Sequence, residues 1–240
     1  MKNSQNWKPS KIILNPKNGE FEPNLKGIYP GSIHIASIQL KAYKELINRY
    51  ITGRTLDCGC GSVPFFEVYK SQISEVICLD KCAPKDGINH IDIEADINQK
   101  LPLNNDEFDS ILLTDVLCHV QKPSNLVSEM SRVLKPGGHL FLATPFQSWM
   151  SDYPHQYFHA TDQGLKLMCE EAGLKVVHLE SYGGFADIRI DNLNKRMTGK
   201  WNNRVFRLLA KFLIKTVWYR RTNEKNKYHY SIGFVLIATK

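Results

Sequence analysis

Two glycines and a carboxylate are the residues of this sequence best suited by type and spacing to bind a cofactor. Gly59 and Gly61 follow the apolar segment around Leu56, and Asp80 ends the next apolar run. Glycine lets a backbone turn tightly and approach a ligand that a Cβ would keep away. A carboxylate that ends the neighbouring parallel strand can accept hydrogen bonds from both hydroxyls of a ribose. The order strand, glycine turn, helix, strand, acid therefore predicts a site for a nucleoside cofactor.

The residues after Gly61 argue against a dinucleotide. The dinucleotide motif has a third glycine three residues later, where the helix packs against its strand and presents its N-terminus to a pyrophosphate. This sequence has Pro64 at that position.

Downstream segments alternate between acids and apolar runs. Asp92 and Asp96 precede Leu101, and an apolar run over 110–114 ends on Asp115. Such a run is typical of a buried parallel strand. A helix is predicted over 123–134, a turn at Lys135-Pro136-Gly137-Gly138 and a further strand over 139–144.

Taken in this order, residues 51–182 resemble the class I S-adenosylmethionine-dependent methyltransferases, and in particular the group called methyltransferase type 11. The resemblance implies an α/β, Rossmann-like fold: a seven-stranded, mostly parallel sheet with an antiparallel last strand and helices on both faces. It implies S-adenosyl-L-methionine as the cofactor. We expect residues 1–50 to be an N-terminal segment and helix that cap the cofactor mouth, and residues 51–240 to be the methyltransferase domain.

The resemblance also implies a role for individual residues. The backbone of the first motif would line the methionine portion of the cofactor, and this motif is Asp57, Gly59, Cys60 and Gly61. Asp80, with Lys81 beside it, matches the ribose-binding position, and Asp96 matches the residue that binds the adenine amino group, with Ile97 as an apolar wall. Thr114 and Asp115 match the end of the fourth strand, where cofactor faces acceptor. The family's usual glycine two positions after Gly61 is Val63 here.

Several of these residues also have a purely structural interpretation. Asp57 could cap the turn, Cys58 and Cys60 could fill the core, and the segment 135–138 could be a turn without any ligand. Asp80 and Asp96 fit this interpretation less well, because a carboxylate directly after an apolar strand has little structural use unless it caps something.

The cofactor's sulfonium makes its methyl group electrophilic, so alignment of the reactants is the main task and is worth roughly 7–11 kcal/mol. An aliphatic hydroxyl acceptor would need a general base, and histidine is best suited to that work near neutral pH. The candidates are His155, which we favour, His119 and His159. A spacing of four between His155 and His159 does not by itself predict a metal, and none is expected.

Composition is consistent with one cytoplasmic domain. The chain has 240 residues, 42% of them hydrophobic, enough for one α/β domain with an added segment. No apolar stretch reaches the roughly 18 residues of a membrane span, and the polar segment Met1–Pro9 lacks the apolar core of a signal peptide. Six cysteines without paired metal spacing fit reduced thiols.

Positive charge is concentrated at one end of the chain. Residues 195–240 contain 12 lysines and arginines and one acid, Glu224. We predict a basic amphipathic insertion at about 186–228, with its helix around Arg204–Lys215. Its apolar side could pack on the domain, or the helix could bind an anionic membrane surface and make the protein peripheral. The end of the fourth strand lacks the Pro-Pro-aromatic signature of amino-methylating DNA enzymes, which argues against nucleic acid.

The acceptor is suggested only indirectly. The aromatic and histidine-rich segment from Trp149 to His159 could stack on sugar rings, and we favour O-methylation of a sugar hydroxyl in surface-glycan biosynthesis, on a glycan that could be lipid-linked. The alternatives are methylation of a small lipophilic or secondary metabolite, and a non-catalytic cofactor-binding scaffold.

Overall fold

A computed structural model describes residues 1–81, 90–150, 153–196, 212–226 and 229–240. Its α-helices are α1 (Ile33–Tyr50), α2 (Phe66–Tyr69), α3 (Pro123–Val133), α4 (Asp162–Glu171), α5 (Phe185–Arg196) and α6 (Val217–Asn226). Its strands are β1 (Ile12–Leu14), β2 (Phe21–Pro23), β3 (Gly53–Cys58), β4 (Ile73–Asp80), β5 (Ile93–Glu94), β6 (Phe108–Thr114), β7 (Leu134–Pro145), β8 (Lys175–Tyr182) and β9 (Gly233–Thr239).

Seven strands form one sheet in the order β5-β4-β3-β6-β7-β9-β8. The pairs from β5 to β7 are parallel, whereas β9 is antiparallel to both of its neighbours. The predicted mostly parallel sheet with an antiparallel last strand is confirmed. All carboxyl ends of the parallel strands therefore meet at one edge, which is where such sheets bind ligands.

Both faces of this sheet are covered, which explains its apolar strands. Ile111 and Leu113 of β6 pack with α3 and α4 on one face, whereas Leu112 packs with α1 on the other. All three side chains are at most 1% exposed. A parallel strand between two helical layers reads as a continuous apolar run for this reason. The prediction of helices on both faces is confirmed.

Tyr43 of α1 is the centre of the core on its face. Its ring lies 5.3 Å from the ring of Phe65, 5.4 Å from that of Phe141 and 5.3 Å from that of Tyr182. Edge-to-face contacts of this kind are favourable beyond the area that they bury. Helix α1 is therefore part of the folded core.

The segment 135–138 corrects one prediction. It was predicted to be a turn, but β7 already begins at Leu134 and runs through it. The N–H of Gly137 donates to the carbonyl of Lys240, and Leu134 pairs with Phe108. Hydrogen bonds to the neighbouring strands thus keep this segment extended. The register of β6 and β7 shifts here, and Gly137 adopts a φ of +80°, which glycine does readily.

Val63 has the backbone of a glycine. Its φ is +52° although its side chain is fully buried. This conformation brings Cβ close to a carbonyl oxygen and costs a non-glycine residue roughly 1–2 kcal/mol. The turn therefore keeps the shape of the motif with a third glycine, and burial of the valine offsets the strain.

We expect Val63→Gly to be at least as stable as Val63→Ala in urea unfolding. Both variants lose most of the burial, but only glycine releases the strain. Val68 in α2, which is also buried, is the control position. There we expect Val68→Gly to be less stable than Val68→Ala by about 1 kcal/mol, as is usual in a helix. The same order at both positions would show that Val63 is not strained.

Candidate active site

Two glycines shape the turn after β3, each for a different reason. Gly59 has a φ of +72°, and a Cβ there would lie 2.5 Å from Cγ2 of Val116. Gly61 has a φ of +50°, but a Cβ there would meet nothing within 4 Å. Packing therefore requires the first glycine, whereas the second borders open space that a ligand can occupy.

Asp80 connects this turn to the next strand. Its Oδ2 accepts the N–H of Gly61 at 2.8 Å, and its Oδ1 accepts the N–H of Lys81 at 2.7 Å. A carboxylate oxygen has two lone pairs, so each oxygen can accept one further hydrogen bond. The structure places a fixed carboxylate next to the open glycine turn.

Asp96 lies at the same edge of the sheet. Its Oδ1 accepts the backbone N–H and the side-chain amide of Asn98, each at 3.0 Å, and Lys81 Nζ lies 3.4 Å from its Oδ2. These hydrogen bonds from Asn98, with Lys81 nearby, lower the pKa of Asp96. Ile97 beside it packs on the core. Asp80, Lys81, Asp96 and Ile97 thus lie close together.

Asp57 is held differently from the other acids. It is 3% exposed, and its Oδ2 accepts the hydroxyl of Tyr69 at 2.6 Å. Burial raises its pKa to about 7, against the opposing effect of the Tyr69 hydrogen bond. The carboxyl group of Asp57 therefore has a structural partner, the hydroxyl of Tyr69. Cys58 and Cys60 are likewise buried, as expected of core-filling residues.

Thr114 ends β6, and Asp115 follows it in a left-handed conformation with a φ of +59°. Asp115 Oδ2 accepts the side-chain amide of Gln39 at 2.8 Å and lies 3.7 Å from Lys11 Nζ. Burial lowers the pKa of Lys11, while Asp115 opposes that change. Lys11 also lies 5.0 Å above the ring of Phe65. The N-terminal segment therefore reaches the end of β6.

Lys11 and Gln39 were not predicted to belong to the site. Lys11 comes from a polar segment without a motif, so its sequence gives no signal. Gln39 does give a signal in the sequence, because it is a polar residue among the apolar positions of α1. In the structure it is only 4% exposed. The N-terminal segment also contacts the glycine turn, because the hydroxyl of Ser10 donates to the carbonyl of Ser62 at 3.1 Å.

The candidate histidines lie beside the turn that follows Asp115. His119 Nδ1 lies 3.0 Å from the backbone carbonyl of His155, and the N–H of Tyr157 donates to the carbonyl of Cys118 at 2.7 Å. His159 contacts the side chain of Gln156. The loop that carries His155 and His159 is thus docked on the turn that carries His119, and His155 contributes its backbone to this docking.

A groove of about 580 Å³ opens at the same edge of the sheet, between the end of β7 and α5. Among the described residues that line it, Arg189 has the one charged side chain, which lies 5.1 Å from the ring of Phe185. The amide oxygen of Gln147 is buried and has no hydrogen-bond partner among the described residues. The aromatic side chains that line this groove are Phe146, Trp149, Phe185 and Tyr230.

Comparison with known families agrees with this geometry. Residues 35–179 match the family model described as a methyltransferase domain. The chain belongs to this methyltransferase family. The predicted resemblance to class I methyltransferases is thereby confirmed, and S-adenosylmethionine is the expected cofactor.

Curated relatives match only part of the chain. A ubiquinone biosynthesis O-methyltransferase from Aliivibrio fischeri is 27% identical over 52% of this chain and 55% of its own length. An uncharacterized methyltransferase from Schizosaccharomyces pombe is 31% identical over 45% of each chain. The chain thus spans about half the length of the curated relatives it matches.

Solved structures show the same fold at low identity. A methyltransferase from Archaeoglobus fulgidus is 20% identical, with a TM-score of 0.53 over 83% of this chain and 94% of its own. The cyclase SpnF is 18% identical, with a TM-score of 0.55 over 97% of this chain and 87% of its own. Since one neighbour is described as a cyclase, the shared fold does not define the reaction.

The residues present fit S-adenosylmethionine. Gly61 leaves room for a ligand, and Asp80 retains acceptor capacity for two ribose hydroxyls. Asp96 offers a carboxylate at the neighbouring position for an amino group.

Asp80→Asn should weaken binding of S-adenosylmethionine by roughly 10- to 100-fold, because hydrogen bonds to a charged group contribute about 1.5–3 kcal/mol. Calorimetric titration measures the affinity. Asp106→Asn, on an exposed acid that pairs with Lys240, is the control. Equal affinity of the wild type and Asp80→Asn would remove Asp80 from the site.

Asp57 should make stability depend on pH. The folded protein holds this proton up to about pH 7, whereas the unfolded chain releases it near pH 4. The free energy of unfolding should therefore fall as pH rises through this window, by about 1.4 kcal/mol per unit at most, and then level off.

Asp57→Asn keeps an acceptor for Tyr69 and should abolish this dependence in urea unfolding between pH 5 and 8. Asp96→Asn should retain it, because the pKa of Asp96 is lowered and this group is ionised throughout that range. An unchanged slope in Asp57→Asn would contradict the assignment.

Proposed function

We propose that this protein is an S-adenosylmethionine-dependent O-methyltransferase. The observation that carries the proposal is the hydrogen bond between Gly61 and Asp80 beside an open glycine turn, in a chain of the methyltransferase family. When bound, the cofactor supplies a methyl group already activated by its sulfonium. The protein's residues bind it, orient the acceptor and exclude water.

The groove between the end of β7 and α5 is the proposed site of the second substrate, and we call it the acceptor groove. Asp115 donates its N–H to the carbonyl of Ala143, so the end of β6 lies against β7. Strand β7 leads directly into Phe146 and Gln147 of the groove. A hydroxyl held here would therefore lie on the same edge of the sheet as the glycine turn, on the side of Asp115 away from Asp80.

A sugar hydroxyl remains our first candidate acceptor. Trp149 borders the groove and is 56% exposed, and an indole face can cover the apolar face of a sugar ring. Gln147 offers an unpaired amide oxygen to a hydroxyl. None of the relatives described above is named for a sugar, so this proposal rests on the groove alone.

An aromatic, lipophilic hydroxyl is the second candidate. Four aromatic side chains line the groove, and Arg189 is placed to pair with an acidic substituent on such a ring. The relatives named for ubiquinone biosynthesis support this class. A cofactor-binding scaffold without turnover is the third alternative.

His155 is proposed as the general base. Its loop is docked beside the turn after Asp115, and the contact with His119 uses the backbone of His155. Replacing the imidazole therefore leaves this contact in place. The substitution His155→Ala thus separates the chemistry of the side chain from the position of the loop.

The decisive assay follows a labelled methyl group from S-adenosylmethionine into a cell-envelope glycan fraction and into a panel of lipophilic phenols. Label in the glycans supports the first candidate, and label in the phenols supports the second. Binding of the cofactor without label in either fraction would favour the scaffold.

In the same assay, His155→Ala should lower kcat by about 100-fold or more, as expected for loss of a general base, with unchanged affinity for the cofactor. His178→Ala, on the edge strand β8, should retain wild-type activity. Wild-type turnover in His155→Ala would remove this histidine from the mechanism.

A further inference from the structure

Helix α6 presents a polar side to the rest of the protein. Tyr219 and Asn223, one turn apart, both donate to the carboxylate of Asp187 in α5, Asn223 at 2.9 Å. Asn223 also accepts the N–H of Ala186 at 2.9 Å. Asp187 is 2% exposed, so these partners stabilise a buried charge and fix the rotation of α6.

Apolar side chains of this region are exposed. Val217 and Trp218 of α6 are 54% and 56% exposed, and Phe212 and Leu213 just before it are 78% and 36% exposed. A surface helix normally has the opposite arrangement, with its apolar side on the core. Clustered exposed apolar side chains of this kind mark an interaction surface. We call these four residues the α6 apolar surface.

The expectation for the basic helix around Arg204–Lys215 is changed in part. Arg204, Arg207 and Lys211 lie outside the described residues. Lys215 is in a turn between Leu213 and α6 and not within a helix. Of the apolar residues expected on this helix, Phe212, Leu213 and Val217 are exposed and do not pack on the domain.

Exposed cations are close in sequence to the α6 apolar surface. Glu224 is the one acid over 212–226, and none of the cations there pairs with a carboxylate among the described residues. The exposed cations are Lys215, Arg220, Arg221 and Lys225. Tryptophan and phenylalanine flanked by lysine and arginine are typical of segments that lie in the interface of an anionic bilayer.

We propose that the α6 apolar surface binds the surface of an anionic phospholipid membrane. Its side chains enter the boundary between headgroups and acyl chains, while the surrounding cations pair with lipid phosphates. A membrane fits better than a protein partner, because exposed aromatic side chains and exposed cations occur together in this segment, and a bilayer interface offers acyl chains to the first and anionic phosphates to the second. Among the described residues, no helix has the length and hydrophobicity that a membrane span requires.

Sedimentation with vesicles tests the proposal. The wild-type protein should sediment with vesicles of phosphatidylglycerol and phosphatidylcholine, less so at high salt, and should stay in solution with phosphatidylcholine alone. Phe212→Ser combined with Trp218→Ser should lower the partition coefficient about tenfold or more. Both substitutions are on exposed positions and leave Tyr219 and Asn223 in place, and circular dichroism verifies the fold.

The matched control is Leu25→Ser combined with Leu167→Ser, since these leucines are 61% and 55% exposed elsewhere on the surface. This variant should sediment like the wild type. Wild-type protein that stays in solution with the anionic vesicles would overturn the proposal, as would equal loss of binding in both double variants. A dimer in light scattering that only the Phe212 and Trp218 variant abolishes, without vesicle binding, would instead assign the surface to a second copy of the chain.

Discussion

The hydrogen bond between the Gly61 N–H and the Asp80 carboxylate is the interaction on which the candidate site depends. It joins the carboxyl ends of β3 and β4 and fixes the glycine turn beside open space. Parallel pairing of the two strands brings the partners together, since Asp57 is in register with Cys78 and Cys58 with Leu79. The sheet thus positions the carboxylate, and the carboxylate positions the turn.

Asp187 of α5 has a similar role in another part of the fold. This buried carboxylate accepts hydrogen bonds from His34 at 2.9 Å, from Gly184 at 3.0 Å and from two residues of α6. It therefore joins the start of α1, the start of α5 and α6 around a single charge. Removing these donors would leave an uncompensated buried charge, at a cost of several kcal/mol. That cost explains why α6 keeps its polar side inward and leaves Trp218 exposed.

The sheet and the cofactor edge were predictable because they follow from local patterns. Buried parallel strands read as apolar runs. Asp80 is the last residue of β4, Asp115 follows β6 directly, and Asp96 lies two residues after β5. Lys11 and Gln39 were missed because they reach Asp115 across the fold from distant positions. The sequence predicted a helix around Arg204–Lys215 and left its orientation open, whereas the orientation of α6 is decided by Asp187, a partner on another helix.

A crystal structure with S-adenosylhomocysteine would test the central claim most directly. We predict that both ribose hydroxyls lie within hydrogen-bond distance of the Asp80 carboxylate, with the ligand passing over Gly61 and its adenine beside Asp96 and Ile97. A ligand bound elsewhere, or a ribose without contact to Asp80, would contradict the assignment of this edge of the sheet as the cofactor site.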